Sequence, residues 1–159
     1  MNKYLFIIML FLFGCEVESV DYPPIPNIKY QDTKVSTNEN ILKIKLSFYL
    51  IDGDGDIGLT QKDVYPPYDA NFFPVLYSIE NGEMKIDTNF IADRYRIPYV
   101  GDLGQDNTLK AKISVDFEYP YSNTYIFPYD SIIYSFYIID RALNKSNIAW
   151  TDTIIINMQ

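Results

Sequence analysis

In the segment ILKIKLSFYL, residues 41–50, Leu42, Ile44, Leu46, Phe48 and Leu50 alternate with Lys43, Lys45, Ser47 and Tyr49. A period of two sends successive side chains to opposite faces of an extended chain, so this is a strand with one buried face. The pattern returns in TLKAKISVDFEY, through Leu109, Ala111, Ile113, Val115 and Phe117. SIIYSFYII and NIAWTDTIIIN are β-branched and aromatic runs of strand length. NFFPVLYSI and MKIDTNFI flank an Asn81-Gly82 step, a strong short-range hairpin signal. Pro74 assigns the first of those strands to an edge or a bulge. A weaker strand is expected over residues 95–100. No stretch sustains a helical period. Six or seven strands predict an all-β chain, an antiparallel β-sandwich of immunoglobulin-like kind, with a closed barrel as the alternative. Strand aromatics are mostly core or cross-strand partners, and Trp150 is expected in the core.

Ahead of these strands, one basic residue, Lys3, precedes an uncharged apolar run from Tyr4 to Gly14. That is the charged and apolar layout of a secretory signal. The run is too short for a bilayer span, which takes roughly 20 residues. LFGC resembles a bacterial lipobox, with Leu12 three residues before the cysteine and Gly14 just before it. The resemblance implies cleavage after residue 14, diacylation of Cys15 and N-acylation of the new terminus. Two or three acyl chains anchor stably where one does not. Cys15 is the only cysteine, so no intrachain disulfide can form.

Residues 15–38 then read as the lipidated cysteine and an extended tether, and 39–159 as one β-sandwich domain. Pro23, Pro24 and Pro26 favour extended backbone, with a first edge strand expected near Ile28. Glu16 and Glu18 resemble the surface-export signals of Bacteroidota lipoproteins, and ordinary linker solvation explains them equally well. The expected location is extracytoplasmic, lipid-anchored to the outer membrane, on its periplasmic or its cell-surface side.

Without Lys3 the chain has 12 basic and 21 acidic side chains, a formal net charge of −9. Phosphate binding needs clustered Lys and Arg, which excludes nucleic acid as a partner. Histidine is absent, and with it the commonest general base and zinc ligand.

The stretch YLIDGDGDIGLTQKD, residues 49–63, sets Asp52, Asp54 and Asp56 at alternate positions with glycines between. Two carboxylates about 5 Å apart repel by roughly 1–3 kcal/mol, depending on the dielectric. A divalent cation reverses that sign. Gly53 and Gly55 let the chain curl until the oxygens converge, and calcium takes six to eight oxygens in irregular geometry. The spacing resembles the start of an EF-hand loop, with Asp63 near its last ligand position. Ile57 stands where that loop has glycine, and the flanks are strands, so a β-domain loop with this arrangement is expected. An Asp-Gly turn with hydrated carboxylates is the alternative. Asp140, in IIDRALNKSN, ends a strand; if that corner faces the first, Asp140 and Asn144 add oxygens, and otherwise Asp140 caps its own turn. The expected calcium ligands are Asp52, Asp54, Asp56, Asp63 and Asp140.

A lipobox, a proline-containing tether, a strand ending in IDGDGDIGL and DRALNKSN before the last strand resemble a group of uncharacterised Bacteroidota surface lipoproteins. The resemblance implies a surface β-sandwich with a calcium loop and supplies no activity.

Two functional classes follow. The first is a non-catalytic binding or structural module, anchored to the membrane, with glycan recognition or an outer-membrane protein complex as its partner. Aromatics crowd YPPYDANFFPVLY and FEYPYSNTYIFPYD, and exposed rings stack on sugars. The second is a carboxylate-based glycoside hydrolase, for which Asp87, Asp93, Asp102 or Asp116 are candidates with no motif to mark them. No nucleophile elbow or phosphate loop is present, and the chain is read as not an enzyme.

Overall fold

The computed structural model describes residues 21–38, 40–88, 94–101, 108–121 and 127–156. Its eight strands are β1 (Asn27–Asn38), β2 (Ile41–Asp52), β3 (Phe72–Glu80), β4 (Glu83–Ile86), β5 (Leu109–Pro120), β6 (Ser131–Ile138), β7 (Ala149–Trp150) and β8 (Ile154–Ile155). One sheet has the order β1-β2-β5; the other runs β4-β3-β6-β7, with β8 also beside β6, and every strand pair is antiparallel. Packed face to face, they make a β-sandwich. Among the described residues no strand pairing joins one sheet to the other, so the closed barrel is not formed.

The period of two in β2 does what it predicts. Leu42, Ile44, Leu46, Phe48 and Leu50 are fully buried and meet Phe72, Leu76, Ile132, Tyr134, Phe136 and Ile138 of the facing sheet. Phe48 stacks on Phe72 at 5.6 Å, and Phe117 on Tyr134 at 4.6 Å. Burying each such side chain contributes roughly 1.5–3 kcal/mol relative to leaving it in water. The tyrosines admitted to this core bring their own partners: the Tyr119 and Tyr134 hydroxyls hydrogen-bond to each other.

At the β3–β4 hairpin Asn81 and Gly82 both have positive φ, 54° and 80°, as a two-residue turn matching strand twist requires. Pro74 sits where the sequence places it, at a local edge. Phe72 exchanges backbone bonds with Tyr95, and the Leu76 carbonyl accepts from Asp87 N. The nitrogen of Pro74 faces that same flank, in the gap before β4 begins.

Four expectations change. The edge strand expected near Ile28 is far longer than the tether assignment allowed: residues 27–38 pair along β2 from Ile51 to Ile41. Its side chains are mostly exposed, so the backbone of β2 rather than an apolar face holds it, and hydropathy carries little signal of that. Residues 95–100 form bridges from Tyr95 to Phe72 and from Pro98 to Leu59, not a strand. The last strand is split: Ser135 pairs with Trp150 but Ser131 with Ile155, a register shift of one residue. At the break Thr151 N donates to Tyr134 O, and the Thr151 hydroxyl accepts from Tyr134 N. Finally, Trp150 is 45 % exposed. Its neighbour Ala149 takes the inward position opposite Phe136, which turns Trp150 to the outer face, against Tyr77 at 5.2 Å. Cys15 and residues 1–14 lie outside the described residues.

Candidate metal centre

Asp52 is the last residue of β2 and shares the parity of Leu42, Leu46 and Leu50, so the strand itself aims its carboxylate inward. It is 0 % exposed. Its Oδ2 accepts a 3.3 Å bond from Ile57 N, while Oδ1 is buried with no hydrogen-bond partner. A buried carboxylate oxygen left unpaired is costly, and most such atoms are satisfied by protein, water or an ion.

The chain then curls through Gly55, at φ 63°. Asp56 returns toward Asp52, its Oδ2 accepting from Ala142 N at 2.9 Å and its Oδ1 unpartnered and buried. The backbone carbonyl of Asp56 accepts from Arg141 Nε at 2.9 Å. These bonds fasten the loop to the turn after β6. Asp140, 2 % exposed, lies in that turn. Asn144 caps it, donating N to Asp140 Oδ1 at 2.7 Å and Nδ2 to Oδ2 at 2.9 Å.

Asp52, Asp56 and Asp140 each offer a carboxylate oxygen, and these lie within 4.8 Å of one another. Oxygens sharing one calcium ion, each at roughly 2.3–2.6 Å, stand up to about 5 Å apart, so the three fit around one ion. Burial, and after it charge repulsion, shows in the carboxyls themselves. Burial first, then the charges of Asp54 and Asp56, push Asp52 up to about 7. Burial, with Asp140 and Asp54, also raises Asp56. The Arg141 guanidinium, bonded through Nε to the Asp56 carbonyl, lies over the Tyr99 ring at 4.9 Å, and among the described residues it makes no ion pair with the three aspartates.

The other two expected ligands stand apart. Asp54 is exposed at the rim and acts on Asp52 through its charge. Asp63 serves a separate turn. Its Oδ2 accepts from Thr60 N at 2.7 Å and Thr60 Oγ1 at 2.8 Å, and these bonds lower its pKa. Arg96 fixes that turn from outside, donating to the carbonyls of Thr60, Asp63, Tyr68 and Asp69. Sequence reasoning passed over Arg96 because nothing local distinguishes it. It passed over Asn147 as a tie for the same reason: its side-chain amide accepts from Ile28 N and donates to Ile28 O, both at 2.8 Å.

Compared with protein-family models, with curated proteins and with solved structures, the chain matches none.

Of the carboxylates considered for glycoside hydrolysis, Asp87 is buried and takes a hydrogen bond from Tyr129 OH. Asp116 pairs with Lys43 at 2.8 Å and Lys45 at 3.5 Å. Asp93 and Asp102 lie outside the described residues.

Proposed function

We propose that this chain is a lipid-anchored extracytoplasmic β-sandwich, a non-catalytic binding or structural module whose Asp52–Asp56–Asp140 corner is held together by calcium. The observation that carries the metal reading is Asp52: its Oδ1 is buried and unpartnered, and the residue offers a carboxylate oxygen within 4.8 Å of those of Asp56 and Asp140. Supporting the anchor is LFGC with Cys15. An immunoglobulin-like arrangement is favoured by the strand order. In that fold strands A, B and E share one sheet, and C and F lie with G in the other. Here β1, β2 and β5 take the first three places, and β4-β3-β6-β7 follow the order of the second sheet. The place of strand D, beside β5, has no strand among the described residues.

Thermal unfolding in chelator and in millimolar calcium tests the metal; equal midpoints would remove it. Labelling with a radioactive fatty acid, lost in Cys15→Ala, tests the anchor.

A second reading, glycan binding, is favoured by the outer face of β3, β6 and β7. Trp150 lies against Tyr77, and Phe73 stacks on Tyr137 at 5.0 Å, on the solvent side of the sheet. Affinity electrophoresis in soluble polysaccharides, with Trp150→Ala beside the unsubstituted chain, decides it.

A further inference from the structure

An open sheet edge is a template for another strand, and β proteins blunt their edges to avoid unwanted pairing. Three edges here are blunted. β4 ends after four residues. The β7–β8 flank is broken at residues 151–153. β1 carries a bulge between Tyr30 and Asp32. β5 has neither bulge nor break: twelve residues run in unbroken register with β2, which is its only strand partner among the described residues, and its one proline is the last residue, so only its charged side chains guard that edge.

Register determines what that edge presents. Tyr121 N donates to Asn40 O, so odd-numbered residues of β5 turn their backbone groups toward β2. Lys110, Lys112, Ser114, Asp116 and Glu118 turn theirs to the open side. The side chains of these five residues share the outer face, and their charges reverse about Ser114, with two lysines before it and two acids after.

We infer that β5 pairs with β5 of a second copy of this chain, antiparallel about a two-fold axis at Ser114. The row is self-complementary in that register, as a two-fold interface demands. Lys112 stands opposite the partner's Asp116, and Lys110 opposite the partner's Glu118. Within one copy Lys43 already bonds Asp116 and Glu118, and Lys45 bonds Asp116. The joined sheet therefore alternates in sign from lysine on β2 to acid on β5 to lysine on the partner strand. All five outward-turned residues fall at hydrogen-bonded positions, which gives about ten backbone bonds across the axis.

The inward side agrees. Ile113 lies beside the partner's Val115, and both are half-buried in the single copy. A 240 Å³ cavity opens beside Ile113, its lining including Ile57, Ile97, Pro98, Leu109, Ala111 and Lys112. A strand added beside β5 covers it.

The test is a cysteine at the axis of the full chain. Directly opposed residues of a hydrogen-bonded pair have Cα atoms about 5.5 Å apart, inside the roughly 4.4–6.8 Å reach of a disulfide. Ser114→Cys should yield a reductant-sensitive species of twice the mass. In Lys110→Cys the two cysteines stand roughly 27 Å apart along the strands, so that chain should yield no more than the unsubstituted one; Cys15 is common to all. Adding Lys112→Glu to Ser114→Cys sets like charges opposite each other twice and should cut the linked fraction roughly fivefold or more. No linked species, equal linking through residue 110, or linkage to a protein of another mass overturns the inference. Sedimentation of the unsubstituted chain beside Lys112→Glu needs no cysteine. Dimer mass that falls in the variant is expected, and the same mass in both overturns it.

Discussion

Gly53 donates its amide to the Pro23 carbonyl at 3.0 Å, and a Cβ on it would stand 2.0 Å from the Tyr22 carbonyl oxygen. The acidic loop is thus clamped against the segment leading into β1 by a contact only glycine permits. Its obstacle is backbone on the far side, which cannot swing away as a side chain tip can. Gly53→Ala should destabilise the fold by about 1–3 kcal/mol, as overpacking does. Chemical denaturation measures this, and an unchanged midpoint contradicts the clamp.

Calcium should raise the unfolding midpoint. With a dissociation constant on the order of 0.1–1 mM, ~10 mM calcium adds roughly 1.4–2.7 kcal/mol through selective binding to the folded state. Asp52→Asn should abolish the response and leave the chelated protein as stable or more so, because it removes a buried charge. A variant that still gains stability from calcium would place the ion elsewhere.

In chelator, stability should fall as pH rises from about 4 to about 7, the reverse of usual acid denaturation. Asp52 titrates near 7 in the folded chain against 3.8 as its ordinary value. Between those values the folded state holds the extra proton, so raising pH favours unfolding. Below the lower value the carboxyl is neutral in both states and costs nothing. The full penalty, on the order of a few kcal/mol, is reached once pH passes the folded value. Denaturation curves from pH 4 to 8 with Asp52→Asn alongside isolate the effect; a difference between the two chains that does not vary with pH would refute it.

Trp150→Ala should cost about 0.5–1.5 kcal/mol, the worth of an aromatic pair at the surface. A core tryptophan would lose roughly 3–5 kcal/mol. Urea titration separates these two ranges.

Strand periodicity made much of the fold legible. β2 and β5 alternate strictly because each has one face in the core, and Asn81-Gly82 marks its turn because few residues accept two positive φ angles in succession. The inward aim of Asp52 is legible too, since it continues the parity of Leu42 through Leu50. The start of β1 near Ile28 was expected, and its length was hidden because an edge strand held by backbone bonds has no need of apolar alternation. The outward turn of Trp150 was hidden because it follows from pairing with Ser135 and from the break at Thr151.

What the sequence by itself determined is local: which segments extend, which face each buries, where three aspartates crowd, and that Cys15 follows an apolar run. Periodicity and turn chemistry act over a few residues, so they can be read without knowing the partners. Tertiary structure alone decided which carboxylates meet. Asp140 joins Asp52 and Asp56 across more than eighty residues because the turn after β6 bonds the Asp56 backbone and side chain. Asp63, only seven residues from Asp56, is drawn off by Thr60. Proximity along the chain says little about proximity of oxygens, because strand pairing and backbone hydrogen bonds place the corners of a sandwich.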